Sequence, residues 1–304
     1  MRGVFLPYFS NAPFFIAQEE GFFDEQGLNI ELAEINRSSE AIPALENGEV
    51  DVVGGALSAG VLNSIYRGAH IKFVADKGHI PTEGCGSTSL IAGNSFLMDH
   101  PNENPSELRN TRIGFNPAGF TGFIVDTYLR NGGLSFEDID IFNGKEPEQF
   151  QLLLEGTLDI MVASEPWVSR VVQAYLGETW VSDVDVLPGS CFALVWDGPN
   201  LLKQGSDLGN RFMIAYLKGV RQFNQGKIER NVEILMKYTG IEEELIRAAC
   251  WVNINVDGEI DLSGLDKFQA WALNNQLIDN TLSHDQVWDP SFIEYAVKKL
   301  EMSE

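Results

Sequence analysis

Few side chains in this 304-residue sequence are placed for chemistry, and those that are suit holding a molecule better than breaking one. Tyr8, Phe120 and Trp167 offer flat faces to a ring. A stacked contact of that kind adds about 0.5–1.5 kcal/mol beyond burial, although the same rings serve equally well as core packing. Residues 116–121, NPAGFT, run into a helix N-terminus, whose free N–H groups suit a sulfonate, carboxylate or phosphate. Gly119 in that loop permits close approach by a ligand. Glu165 can accept hydrogen bonds from an amino group or pair with a cationic ligand. Its plainer use is at a helix start, with Ser164 as N-cap and Glu165 and Pro166 in the first turn. Motifs for covalent work are missing: there is no G-x-S-x-G and no H-E-x-x-H, and GCGSTS lacks the Gly-Lys-Ser/Thr end of a phosphate loop.

Residues of this kind have to be presented by loops at strand ends, and the sequence writes such a unit twice. LENGEVDVVGGALS (45–58) and LLEGTLDIMVASEP (153–166) share a Leu, a Gly, an Asp three positions on, an apolar run and a small-residue loop. Around the first, the pattern predicts a strand at 3–5, a helix at 13–20, a strand at 28–32, a helix at 40–46 and a strand at 50–53. Around the second it predicts a strand at 112–115, a helix at 120–131, a strand at 139–142, a helix at 147–154 and a strand at 158–162. Strands alternating with helices imply parallel sheets covered on both faces. Asp51 and Asp159 then read as turn residues bonding local N–H groups. Ligands of such sheets sit beyond the carboxyl ends of the strands, here the loops 54–58 and 163–167. Segments 84–92 and 187–195 read as two hinge crossings. The chain thus divides into 1–86 with 191–304, including a helical tail, and 87–190.

Composition narrows the function classes. The formal net charge is -23, so no basic face is available for nucleic acid or an anionic membrane. No run of 18 apolar residues occurs, so no transmembrane helix is expected. The sequence after Met1-Arg2, GVFLPYF, is too short for a signal h-region. The protein is therefore either cytoplasmic or exported with its leader removed. Cys85, Cys191 and Cys250 are odd in number and scattered, which argues against a disulfide framework or a Cys-x-x-Cys metal site and for ordinary core cysteines.

At NAPFFIAQEEGFFDEQGLNIELAEI the sequence resembles the substrate-binding proteins of the nitrate, sulfonate, taurine and thiamine-pyrimidine transport group. The matching positions are Ala12, Pro13, Ala17, Gly21, Phe22, Phe23, Gly27 and Leu28. ALENGEVDVVGG resembles the family's turn at Ala44, Leu45, Gly48 and Asp51, LLEGTLDIMVASEPW its second-lobe form ending in Glu165-Pro166, and LDKFQAWALNNQLI and VWDPSFIEYAV its last helices. The resemblance implies an α/β fold of the two-lobed type II periplasmic binding class, each lobe a mostly parallel sheet flanked by helices, with a ligand cleft between lobes. It further implies a monomer that delivers a small-molecule solute to ABC permease subunits outside the cytoplasm, without cofactor, metal or catalysis.

Strand ends and the family layout together nominate the binding residues. The first lobe offers Tyr8, Ser10, Asn11, Ala12, Ala56, Leu57 and Ser58. The second offers Asn116, Gly119, Phe120, Thr121, Ser164, Glu165 and Trp167. The crossings add Gly86, Ser87, Thr88, Ser190, Cys191 and Phe192. None is Lys or Arg, and tight oxyanion sites often use one. That favours a nitrogen heterocycle, such as a thiamine-type pyrimidine, over a sulfonate or nitrate. Two rival classes remain. One is a cytoplasmic enzyme on the same fold, akin to pyrimidine synthases or a chorismate-processing enzyme, though the close cysteine cluster of the synthases is absent. The other is a sensing module, for which the chain beyond the clamp is too short.

Overall fold

The two Gly-x-x-Asp turns do the same job twice in the computed structural model, which describes residues 1–203 and 207–302. Gly48 and Gly156 take φ of +72° and +68°, the left-handed region that glycine enters without a Cβ penalty. They reverse the chain after the helices Ile42–Glu46 and Glu146–Leu154. Three residues on, Asp51 accepts the backbone N–H of Arg2 at 2.7 Å, and Asp159 accepts that of Arg112 at 2.7 Å. Each Asp returns its own N–H to the same arginine's carbonyl, at 2.8 and 3.0 Å. Two strands of each sheet are thus pinned at their starts. The repeat extends to the arginine side chains: Arg2 faces Glu31 at 3.8 Å and Arg112 faces Asp140 at 3.3 Å. Exposed pairs of this sort add little stability, so their value is as a marker of the repeat.

The first sheet contains β1 (Arg2–Phe5), β2 (Glu31–Glu34), β3 (Val52–Ala56), β4 (Lys72–His79) and β10 (Cys191–Asp197), in the order β2-β1-β3-β10-β4. The second contains β5 (Thr88–Gly93), β6 (Arg112–Gly114), β7 (Asp140–Phe142), β8 (Ile160–Ser164) and β9 (Gly177–Ser182), in the order β7-β6-β8-β5-β9. The three strands of each repeat, β2-β1-β3 and β7-β6-β8, run parallel. One strand in each, β10 and β5, lies antiparallel to both neighbours. The sheets are therefore mixed, with the parallel part where the repeat predicts it. β4 and β9 have no counterpart in the sequence reading. β4, KFVADKGH, carries Asp76 and Lys77 in a buried strand, which breaks the apolar run that would announce it.

The chain divides into two compact units: Met1–His79, Cys191–Glu243 and Val252–Glu304 form one, and Ile80–Ser190 with Glu244–Trp251 form the other. In the first, helix Asp207–Phe223 packs on helix Ala12–Glu19, with Phe14 against Phe212 and Tyr216. Gly219 is required there, because a Cβ would lie 2.3 Å from the Pro13 carbonyl oxygen. In the second, Ile91, Leu153, Leu158, Met161 and Val171 form a core around β5 and β8. Residues 204–206 and 303–304, within the expected helical tail, lie outside the described residues. No helix among the described residues is long and apolar enough to cross a membrane.

The cysteine reading needs correction. Cys85 and Cys250 form a disulfide, with Cα atoms 5.6 Å apart and 165 positions between them in sequence. The pairing arises because residues 244–251 belong to the second unit while their flanks belong to the first. Only Cys191 is a free thiol, and it is buried.

Candidate functional site

In the first unit the nominated residues gather at the carboxyl edge of the sheet. The chain leaves β1 through Tyr8, Ser10 and Asn11 into helix Ala12–Glu19. Asn11 is fully buried, and its Nδ2 donates to the Leu6 carbonyl at 3.0 Å. Its Oδ1 packs over Gly54 of β3, where a Cβ would come within 1.9 Å, and has no protein partner. Ala12 is buried in the first helical turn. Beyond β3, Ala56 is exposed and donates its N–H to Ser38 Oγ at 3.3 Å, while Leu57 is buried and donates to the Phe192 carbonyl at 2.9 Å. Ser58 stands at the N-cap of helix Ala59–Tyr66, yet its buried Oγ has no protein partner. Cys191 opens β10 opposite His79. Burial pushes its thiol well above the ordinary cysteine value, with the acids Asp76 and Asp261 adding to the shift, so it is not a thiolate nucleophile.

The same edge holds charged residues that the sequence reading missed. Lys77 is 2% exposed and donates from Nζ to Ser10 Oγ at 2.9 Å. Burial pushes its ammonium down to about 7, with the charge of Asp76 opposing. Asp76 is itself fully engaged. Its Oδ1 accepts from the Gly78 N–H at 2.9 Å, and its Oδ2 takes His79 Nδ1 at 2.9 Å and the Asn255 N–H at 2.8 Å. For His79, burial disfavours the charged ring, but the bond and the charge of Asp76 outweigh it and raise the pKa. The signal available was a lysine interrupting IKFVADKGHI, a run too apolar for a loop.

The second unit gathers its own set. Asn116 turns on itself: its Oδ1 accepts the Ala118 N–H at 3.1 Å and its N–H donates to Thr121 Oγ1 at 3.2 Å. Gly119 caps helix Phe120–Asn131, and a Cβ there would meet Asn116 Nδ2 at 2.8 Å. Phe120 is buried against Phe123, with ring centroids 6.0 Å apart. Thr88 and Ser164, opposite each other on β5 and β8, share a hydrogen bond of 2.7 Å. The Ser87 carbonyl accepts the Glu165 N–H at 2.8 Å, while its buried Oγ has no protein partner. Asp183 accepts the Thr88 N–H at 3.0 Å, and burial still pushes its carboxyl up to about 6. Gly86 is packed so closely that a Cβ would sit 1.9 Å from Asp183 Oδ1.

Glu165 is placed differently from the sequence expectation. Pro166, not Ser164, is the N-cap, and the helix runs Trp167–Gln173. The Glu165 carboxylate accepts the Ser169 N–H and hydroxyl, both at 3.0 Å, and the Cys250 N–H at 3.1 Å. It caps this helix and anchors segment 244–251. Trp167 has its ring under the Arg170 guanidinium, 4.7 Å from the centroid, and 5.9 Å from Phe150. These contacts use one aromatic face that the sequence reading reserved for a solute.

The bicarbonate-binding protein CmpA of Synechococcus elongatus is 22% identical over 195 residues, which cover 57% of this chain and 42% of that protein. The chain therefore matches under half the length of that relative. The ligand-binding component of an ABC-type import system from Staphylococcus aureus, solved with zinc bound, superposes with a TM-score of 0.82 at 17% identity, covering 97% of this chain and 98% of that one. Among the described residues here, no group of three His, Cys, Asp or Glu side chains could hold a metal. The desulfurization enzyme DSZB superposes with a TM-score of 0.67 at 14% identity, covering 98% and 99%. At these identities the likeness shows a shared fold, one that serves binding proteins and an enzyme alike. The sequence profile described as NMT1/THI5 like matches residues 8–224, most of the chain, and the protein belongs to that family.

Proposed function

We propose that this protein is the extracytoplasmic solute-binding component of an ABC importer and that it captures a small anionic solute without chemical change. The observation that carries this reading is the doubled strand-and-turn unit, each copy presenting polar loop residues at the carboxyl edge of its sheet. Membership of a family with transport relatives supports it. The absence of a nucleophile in the sequence motifs and the protonated, buried state of Cys191 fit capture rather than catalysis. The Cys85–Cys250 disulfide supports an oxidising compartment, because such bonds persist mainly outside the cytosol. The preference for a nitrogen heterocycle rests on there being no Lys or Arg among the nominated residues. Lys77, which donates to the nominated Ser10, supplies a cation at the same sheet edge and supports an anion instead. On this reading the protein works as a monomer, hands its solute to permease subunits, and closes its units on the solute.

Native mass spectrometry of gently purified protein tests capture directly. An extra mass that leaves on denaturation supports it and weighs the solute. A clean apo mass, followed by no thermal shift with anions or pyrimidines, removes the reading. Identical X-ray scattering with and without saturating ligand would remove the closure step alone.

A further inference from the structure

The first unit buries a lysine and gives it little to hold its charge. An ammonium carries three N–H donors. Among the described residues, Lys77 Nζ has one hydrogen-bond partner, Ser10 Oγ at 2.9 Å, and no ion pair. Asp76, its neighbour in sequence, spends its carboxylate on Gly78, His79 and Asn255. A buried charge without a partner is costly, and the group tends to give up its proton instead. Two other polar groups of this edge also lack protein partners: Ser58 Oγ, which can donate, and Asn11 Oδ1, which can only accept. Donors for an anion and an acceptor for an N–H therefore stand at one sheet edge, where open α/β sheets bind ligands.

We infer that Lys77, held by Ser10, is the charge-selecting residue of the proposed solute site: its ammonium gives its open N–H bonds to an anionic group of the solute, and in alkaline solution, where the empty site holds an amine, capture takes up one proton. This inference rests on the capture reading above. Its direction follows from linkage. Burial holds the empty-state value at about 7, and an adjacent anion raises it. Above pH 7 the site must first be protonated, so Kd rises about tenfold per pH unit. Below pH 7 affinity is flat. Asp76 is the charge that acts on Lys77; His79 follows on the same strand, with Cys191 opposite it on β10 and Asp261 acting on both, Tyr216 donates its hydroxyl to the Asp76 carbonyl, and Tyr8 lies on the Ser10 loop. Burial raises Cys191 and Tyr216 above their ordinary values, so they stay protonated across this range. His79 is the one competitor, and a His79→Gln variant separates it.

The test is calorimetry on the full chain with nitrate, bicarbonate, methanesulfonate and neutral 4-aminopyrimidine as probes, at pH 6.5, 7.5 and 8.5. The expected result is an anion whose Kd weakens about tenfold between pH 7.5 and 8.5. The Lys77→Met variant should lose at least tenfold in affinity at pH 6.5 and lose the slope. Ser10→Ala should weaken binding less, and His79→Gln should keep the slope. Equal anion affinity in wild type and Lys77→Met overturns the inference while capture stands. So does binding of 4-aminopyrimidine alone. Binding of no probe, together with a clean apo mass, overturns the inference and the capture reading together.

Discussion

Replacing both Cys85 and Cys250 with serine should destabilise the second unit substantially. The bond closes a stretch of 165 positions. In the chain-entropy account a closed loop of that size removes about 5 kcal/mol of unfolded-state freedom at 25 °C, a ceiling above the usual 2–4 kcal/mol. Some attachment survives the substitution, because the Cys250 N–H to Glu165 bond is a backbone contact available to serine. A loss of about 2–4 kcal/mol is therefore expected. Urea unfolding followed by intrinsic fluorescence, for wild type with and without reductant and for the double variant, measures it. Thiol alkylation of unfolded, unreduced wild type should modify one cysteine, Cys191, and three after reduction. Three modified thiols before reduction, or a double variant within about 0.5 kcal/mol of wild type, would refute the pairing or its proposed energetic role.

The remaining predictions concern buried polar groups. Asp183 is pushed up to about 6 from an ordinary 3.8 by burial, so its favourable contribution is present below pH 3.8 and lost as pH rises through 6, a span of about 3 kcal/mol at most. Asp183→Asn should flatten that part of the stability–pH curve in thermal melts. The raised pKa of His79 acts with the same sign: its contribution is full below its ordinary 6.5 and fades as pH rises through the higher folded value, a fade that His79→Gln abolishes in the same melts. Gly54→Ala places a Cβ 1.9 Å from Asn11 Oδ1 and should cost about 1–3 kcal/mol in urea unfolding, with Asn11 displaced. Asp159→Ala strips the half-buried Arg112 N–H of its 2.7 Å partner and should cost about 1–3 kcal/mol, whereas Asp51→Ala leaves the Arg2 N–H open to water and should cost less, about 0.5–1.5 kcal/mol, which chemical denaturation checks.

What the sequence disclosed follows from range. Gly48 with Asp51, and Gly156 with Asp159, are local turns whose side chains bond nearby strands, so their spacing alone exposed the repeat. The parallel strands followed from alternation with helices. β10 joins the first sheet only after the whole of 80–190 has been traversed, and nothing local marks its antiparallel direction. Likewise Cys250 meets Cys85 through segment 244–251, a contact of long range that cysteine counting reads as absence. Lys77 was hidden for another reason. A lysine is expected at the surface, and only the surrounding strand reveals that it is inside. Glu165 was legible as a helix-start residue, but its grip on Ser169 and Cys250 required the fold.

Segment 244–251 also sets where this protein can be cut. A fragment of residues 80–190 would keep every strand of the second sheet and look like a complete module on a sequence map. It would nevertheless carry Cys85 as an unpaired thiol, and Glu165 would lose the Cys250 N–H. Such a piece invites intermolecular crosslinking during expression. A usable module has to import its last eight residues through an engineered linker, because they are written far downstream of the rest.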